Sequence, residues 1–293
     1  LMEIPKSALM RTLLYATDFS DNSIPAFHYA QLLSEQLNAK LFVLHVFDMK
    51  ATFISTVSLT YAKREEIMLK EQAEKLEDFC HKNVLKKGFP KGMEMMVHEH
   101  GIPSAGILEK VESLNADLII IGTKGSSVLQ DLIMGSTASA LISNSYVPVL
   151  AIPDKAERRT IKSIVYATAF EEADILAVRK LVALAQPFDA EIKLVHITHK
   201  KEYAGEDQME WFKEMLGNKV DYRKILFDLR FSEDITGSLL DYIREENGDL
   251  IVMLERDSAN ALQRLWRTDT VKKVKMQLER PLLSFHKKHL PFD

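Results

Sequence analysis

Short runs of aliphatic and β-branched residues recur along the chain, each followed by a stretch in which apolar positions return at helical spacing. Thr12 to Ala16 is the first run, Lys40 to Val46 the second and Met93 to Val97 the third. Leu118 to Ile121 is unbroken and aliphatic, as suits a parallel strand covered on both faces. Val147 to Ile152 closes the series. Between the runs the spacing predicts a helix from about Ser23 to Gln36, with Ala26, Tyr29, Ala30, Leu32 and Leu33 on one stripe and Asp21 or Asn22 as its cap. Further helices are predicted over Arg64 to Lys86, Ser104 to Leu114 and Ala138 to Asn144. Asp48 to Tyr61 lacks periodicity and reads as a loop, and His98 to Pro103 reads as a turn. Strands that alternate with helices predict a parallel sheet covered on both faces, with ligands gathering beyond the carboxyl ends of the strands. Asp18, Val46 and Gly122 fall at such ends.

After a polar stretch, Pro153 to Thr160, the chain repeats itself. Tyr15 to Phe19 returns as Tyr166 to Phe170, and Leu44 to Val46 as Val195 to Ile197. Asp117 to Ile121 returns as Asp249 to Met253, and Val147 to Leu150 as Arg280 to Leu283. The pattern predicts two tandem doubly wound α/β domains, over residues 1–154 and 160–293, each a five-stranded parallel sheet flanked by helices.

The fourth run leads into candidate chemistry. It stops at Gly122, continues through Lys124 and Gly125, and reaches Gly135, Ser136 and Thr137 at the mouth of a predicted helix. Glycine lets backbone approach a bulky anion without an intervening Cβ, and a helix start adds unpaired amides and the positive end of its dipole. Gly135, Ser136 and Thr137 would thus offer amides and two hydroxyls to a phosphate, while Lys124 adds charge. Isolated glycines more often serve turns; the whole spacing between a buried strand and a helix favours phosphate. In the second half Leu254, Asp257, Thr268 and Asp269 stand at the matching places, and Ala169 stands where the first half has Asp18. Side chains there block backbone contact, and two carboxylates repel phosphate. One working site is expected, in the first domain, although Arg264, Arg267 and Lys272 leave the second half some cationic character.

The pattern Gly-x2-Gly-x9-Gly-Ser, here Gly122, Gly125, Gly135 and Ser136, resembles the nucleotide-binding signature of the universal stress protein family. LLYATDFS (Leu13 to Ser20), FVLHVFD (Phe42 to Asp48), HGIPSAGIL (His100 to Leu108) and VPVLAIP (Val147 to Pro153) support the resemblance, which is specific in the first half and architectural in the second. It implies an adenine nucleotide alpha hydrolase-like fold whose two domains pair by a pseudo-two-fold through their fifth strands. It also implies binding of ATP, AMP or ADP, with Mg²⁺ or Mn²⁺ as companion ion, in a stress-response or signalling module. Thr17 and Asp18 would lie beside the nucleoside, and Val46 would meet adenine through its backbone. Asp18 also suits a helix cap, and the two readings stand together. A nucleotide would order the loop Lys124 to Met134 and so couple occupancy to the affinity for a protein partner. Homodimer formation is left open.

Composition narrows the alternatives. Of 293 residues 46% are hydrophobic and 27% charged, and the net charge of -4 lacks the basic footprint of a nonspecific nucleic-acid binder. No apolar run approaches the ~20 residues of a membrane span, and no signal-peptide core precedes the first strand, so a cytoplasmic location is expected. The single cysteine, Cys80, has no partner for a disulfide and reads as buried on a helix face. His98 with His100, and His196 with His199, are too sparse for a metal site; His45 and His196 read as hydrogen-bonded core residues, and Trp211 and Trp266 as packing. Neither a Gly-x-Ser-x-Gly elbow nor a Walker motif is present. A nucleotide-binding module is therefore favoured over a dedicated enzyme, with a ligand-free interaction scaffold and a slow ATP hydrolase as the alternatives.

Overall fold

A computed structural model of the protein describes residues 10–49, 61–85, 88–124, 134–199, 206–255 and 280–290. The chain divides into two compact units, Arg11–Leu141 with Val149–Arg158, and Arg159–Asp293 with Ile142–Pro148. The N-terminal unit holds β1 (Thr12–Ala16), β2 (Lys40–Phe47), β3 (Met93–Glu99), β4 (Leu118–Gly122) and β5 (Val149–Ile152). Its strand order is β3-β2-β1-β4-β5, and every pairing is parallel. Its helices are α1 (Ile24–Leu37), α2 (Tyr61–Asn83), α3 (Pro103–Leu114) and α4 (Ser136–Asn144). The order reverses between β1 and β4, the place where a doubly wound sheet opens a crevice at its carboxyl edge.

The C-terminal unit holds β6 (Ser163–Ala167), β7 (Glu191–Thr198), β8 (Ile225–Phe231), β9 (Leu250–Glu255) and β10 (Leu282–His286), with α5 (Glu172–Ala185), α6 (Glu206–Lys219) and α7 (Ile235–Glu245). Its order, β10-β9-β6-β7-β8, is again parallel and follows the same winding. Both halves are thus α/β domains of one topology in tandem. Among the described residues no helix is long and apolar enough to cross a membrane.

The same local devices fix both sheets. Asn115 takes a left-handed conformation at the end of α3, and Asp117 Oδ2 then accepts from the amides of Arg11 and Thr12 at 2.7 and 2.9 Å. Asn247 and Asp249 repeat this, the carboxylate accepting from Lys162 and Ser163 at 2.9 and 3.0 Å. Asparagine tolerates the left-handed region, and the aspartate sets the register of the following strand against the first. β4 is buried throughout, as its aliphatic run requires.

Several boundaries differ from the sequence expectation. The cap residue of α1 is Ser23, not Asp21 or Asn22. Asp21–Ser23 is a 3-10 turn, held where the Tyr15 hydroxyl donates to Ser23 O at 2.8 Å and Ser23 Oγ donates to Ser20 O at 2.7 Å. His98 and Glu99 belong to β3 instead of a turn, because Val46 and Phe47 of β2 continue to pair with them. α2 stops at Asn83, after which the Leu85 amide donates to Gln31 Oε1 at 2.9 Å. β5 starts at Val149. Val147 is closed on a local turn in which Ser145 Oγ donates to its carbonyl and accepts from its amide, and Pro148 has no amide to pair. Trp211 is 43% exposed and so is not packed as expected. The loop expected between Asp48 and Tyr61 falls mainly outside the described residues, as do Trp266 and the interior of the loop Lys124 to Met134.

Cys80 is fully buried, and burial pushes its thiol up to about 12. Since the thiolate is the reactive form, the native protein is expected to resist Ellman's reagent at about pH 8 and to react with one equivalent in denaturant. A fast native reaction would contradict this packing.

Candidate functional site

Three strand ends and two helix starts meet in the N-terminal unit around a cavity of about 270 Å³. From β1 come Ala16, Thr17 and Asp18, and from β2 Val46. The exit of β4 supplies Gly122, Thr123 and Lys124, and the start of α4 supplies Gly135, Ser136, Thr137 and Ala138. Pro103 and Ile107 of α3 form an apolar wall. Of the residues singled out in the sequence, Thr17, Asp18, Val46, Gly122, Lys124, Gly135, Ser136 and Thr137 are therefore brought together, and Gly125 lies outside the described residues.

Each plays a particular part in the geometry. Phe19 turns the chain after β1 with φ 65°, its amide donating to Thr17 Oγ1 at 3.0 Å. Asp18 Oδ1 accepts from the amide and hydroxyl of Ser20 at 3.1 and 2.6 Å, a local turn and not a helix cap. At Gly122 a Cβ would lie 3.3 Å from Asn22 O and 3.5 Å from Ser23 Cα. The glycine therefore makes room for the segment entering α1. Gly135 also departs from expectation, since its amide donates to Thr123 O at 2.6 Å and closes the loop onto β4. Its carbonyl accepts from Ser139, which leaves Ser136, Thr137 and Ala138 as the leading amides of α4 without intrahelical acceptors. All three residues line the cavity. Lys124 Nζ is paired with Asp154 Oδ2 at 3.0 Å, so its charge at the cavity is partly neutralised.

His45 lies beneath this edge. Its Nδ1–H donates to Thr17 O at 2.8 Å and its ring stacks on Phe19 with centroids 4.0 Å apart. His196 donates to Thr168 O at 2.8 Å in the C-terminal unit, so both are hydrogen-bonded as the sequence suggests. Burial pushes His45 down from its ordinary value of 6.5, against the upward pull of the Thr17 bond and the Asp18 charge. Burial likewise pushes His28 down. The unfolded chain thus takes up these protons before the folded one. The stability they contribute is complete above the unfolded value and is lost as pH falls through the folded one. Urea midpoints are expected to decline on acidification from 6.5, and less steeply in His45→Gln; an identical slope in the variant would contradict the assignment.

The C-terminal unit builds the same edge differently. Phe170 turns the chain with φ 55° and its amide donates to Thr168 Oγ1 at 2.9 Å, as in the first repeat. Where the first repeat has Ser23, the second has Asp174, which is fully buried. Its carboxylate accepts from the Tyr166 hydroxyl at 2.6 Å and from the amides of Ala169 and Glu171 at 3.1 and 3.0 Å. A carboxylate that accepts three hydrogen bonds therefore stands beneath the corresponding turn. Sequence reasoning missed it, although laying the two repeats over one another a few residues beyond Phe170 pairs Ser23 with Asp174. Leu254 and Ala169 are buried or half-buried at the strand ends as expected. Asp257, Thr268, Asp269, Arg264, Arg267 and Lys272 lie outside the described residues.

A match to the universal stress protein family spans residues 10–153. Over these residues the chain belongs to the universal stress protein family. A universal stress protein of Methanocaldococcus jannaschii is 28% identical to this one over 144 residues, 49% of this chain and 82% of its own. Another, of Bacillus subtilis, is 28% identical over 151 residues, 49% of this chain and 99% of its own. The crystal structure of a universal stress protein from Archaeoglobus fulgidus aligns over 95% of this chain and 97% of the other, with a TM-score of 0.62 and 17% identity. That last likeness is one of fold, and it covers both repeats. The cavity thus belongs to the universal stress protein domain, whereas the second repeat resembles the family in architecture.

Proposed function

We propose that the universal stress protein domain binds ATP, or another adenine nucleotide, in this cavity and acts as a stress-response or signalling module without a dedicated catalytic apparatus. The observation that carries the reading is the meeting of two chemistries in one hollow. Val46, Ile107 and Ala16 offer an apolar slot for a base, and Ser136, Thr137 and Ala138 offer three leading helix amides for phosphates. Among the described residues no three His, Cys, Asp or Glu side chains are grouped to hold a metal ion. Mg²⁺ or Mn²⁺ would accompany the nucleotide as its counterion.

The second repeat is a scaffold in this proposal, with Asp174 in place of Ser23 disfavouring an anionic ligand. Mass spectrometry of small molecules released from protein purified without added ligand tests the reading. The expected result is an adenine nucleotide in near-stoichiometric amount. Its absence, together with no heat on titration of ATP, would leave the ligand-free interaction scaffold as the account of both repeats.

A further inference from the structure

The apolar wall of the cavity is anchored by a side chain that can gain a proton. α3 begins at Pro103, and Ile102 before it is its cap residue. The Ile102 carbonyl accepts from the amides of Ala105 and Gly106, both at 3.1 Å, while the Ile102 amide donates to His100 Nδ1 at 2.9 Å. That last bond requires an unprotonated Nδ1, so His100 carries its proton on Nε2. Nε2 faces Glu109 Oε1 at 3.4 Å, and the other oxygen of Glu109 meets His98 Nε2 at 3.0 Å. One carboxylate of α3 thus clips two imidazoles at the end of β3.

Packing transmits this clip to the cavity. A Cβ at Gly106 would lie 2.8 Å from His100 Cβ and 2.9 Å from Val46 Cγ1, so α3 rests directly on both residues. Val46, Pro103 and Ile107 all line the cavity. The charged and titratable groups around the clip are Glu109 and Lys110 of α3, His98 of β3, and Asp48 beyond β2, whose Oδ2 is 4.0 Å from the Cβ position of Gly101. The His98 hydrogen bond, with the nearby Lys110 charge, holds the Glu109 carboxyl below its ordinary range. Glu109 therefore stays an anion facing both imidazoles.

We propose that His100 is a positioning residue for the cavity, and that its protonation releases the start of α3 and weakens nucleotide binding. Protonated at Nδ1, His100 presents a donor to the Ile102 amide, and the two N–H groups face one another without an acceptor. The Glu109 contact survives, but the cap residue loses its anchor, and Pro103 and Ile107 shift with it. Acidification through the range where imidazoles gain charge thus loosens the wall without a change in the ligand's own site.

The inference rests on the nucleotide reading, and its test separates the two. ATP affinity is measured by calorimetry at about pH 7.5 and about pH 5.5 in the wild type and in His100→Asn, whose Oδ1 accepts from the amide two residues on but does not titrate. The wild type is expected to lose about tenfold more affinity than the variant, the variant carrying the pH dependence of ATP itself. Equal losses would overturn the proposal. Hydrogen exchange at the Ile102 amide in the free protein is the second readout. Its protection should fall on acidification in the wild type and hold in His100→Asn. Unchanged protection in the wild type would overturn the clip even if ATP binds, whereas loss of protection without ATP binding at either pH would sink the nucleotide reading and leave the clip standing.

Discussion

Replacing Asp174 by alanine is expected to lower the free energy of unfolding by about 3 kcal/mol, because three donors are left facing a void in a fully buried place. The Tyr166 hydroxyl and the amides of Ala169 and Glu171 all converge on this carboxylate. Asp174→Asn should lose less, since its carbonyl oxygen still accepts from two of them while its amide nitrogen meets the third as a donor. Urea unfolding followed by circular dichroism measures both. A loss under about 1 kcal/mol for the alanine variant would mean that the carboxylate is not a keystone of the second repeat.

The reciprocal change has the largest expected effect on binding. Ser23→Asp brings the second repeat's carboxylate into the universal stress protein domain, at a residue that lines the cavity and in place of a hydroxyl that bonds Thr17 Oγ1 and Ser20 O. A unit negative charge about 5 Å from a phosphate opposes it by roughly 3 kcal/mol at an effective dielectric near 20, so ATP affinity should fall about a hundredfold. Ser23→Ala removes the hydroxyl without adding charge and should change affinity far less. Calorimetric titration of the two variants decides the matter. Equal affinities in Ser23→Asp and wild type would show that phosphates do not lie near this residue.

The alternation of strands and helices was legible because each buried strand is an aliphatic run, Leu118 to Ile121 above all, and because the repeat of Tyr15 to Phe19 as Tyr166 to Phe170 announces two copies. The glycine spacing likewise points to Gly122, Gly135 and Ser136 on one edge. What the sequence concealed lies in tertiary partners. β3 extends through His98 and Glu99 because Val46 and Phe47 pair with them, and nothing local in those residues says so. The turn at Asp21–Ser23 depends on a hydroxyl from β1, which overrides the capping preference of Asp21 and Asn22. Asp174 sits in the first turn of a helix, where an acidic residue normally reads as an exposed dipole partner. Only the buried Tyr166 beneath it turns that position into a core carboxylate. The Gly135 amide was expected to face a phosphate, yet it donates to Thr123 O, and the leading amides without intrahelical acceptors begin one residue on, in the first turn of α4.

The central claim is that the leading amides of α4 receive the phosphates, and amide NMR during titration with ATP addresses it directly. The account predicts that Ser136, Thr137 and Ala138 shift most, together with Asp18 and Val46 at the opposite side of the cavity, while the turn around Ala169 in the second repeat stays unmoved. Shifts confined to the second repeat, or none on α4 at saturating ATP, would contradict it.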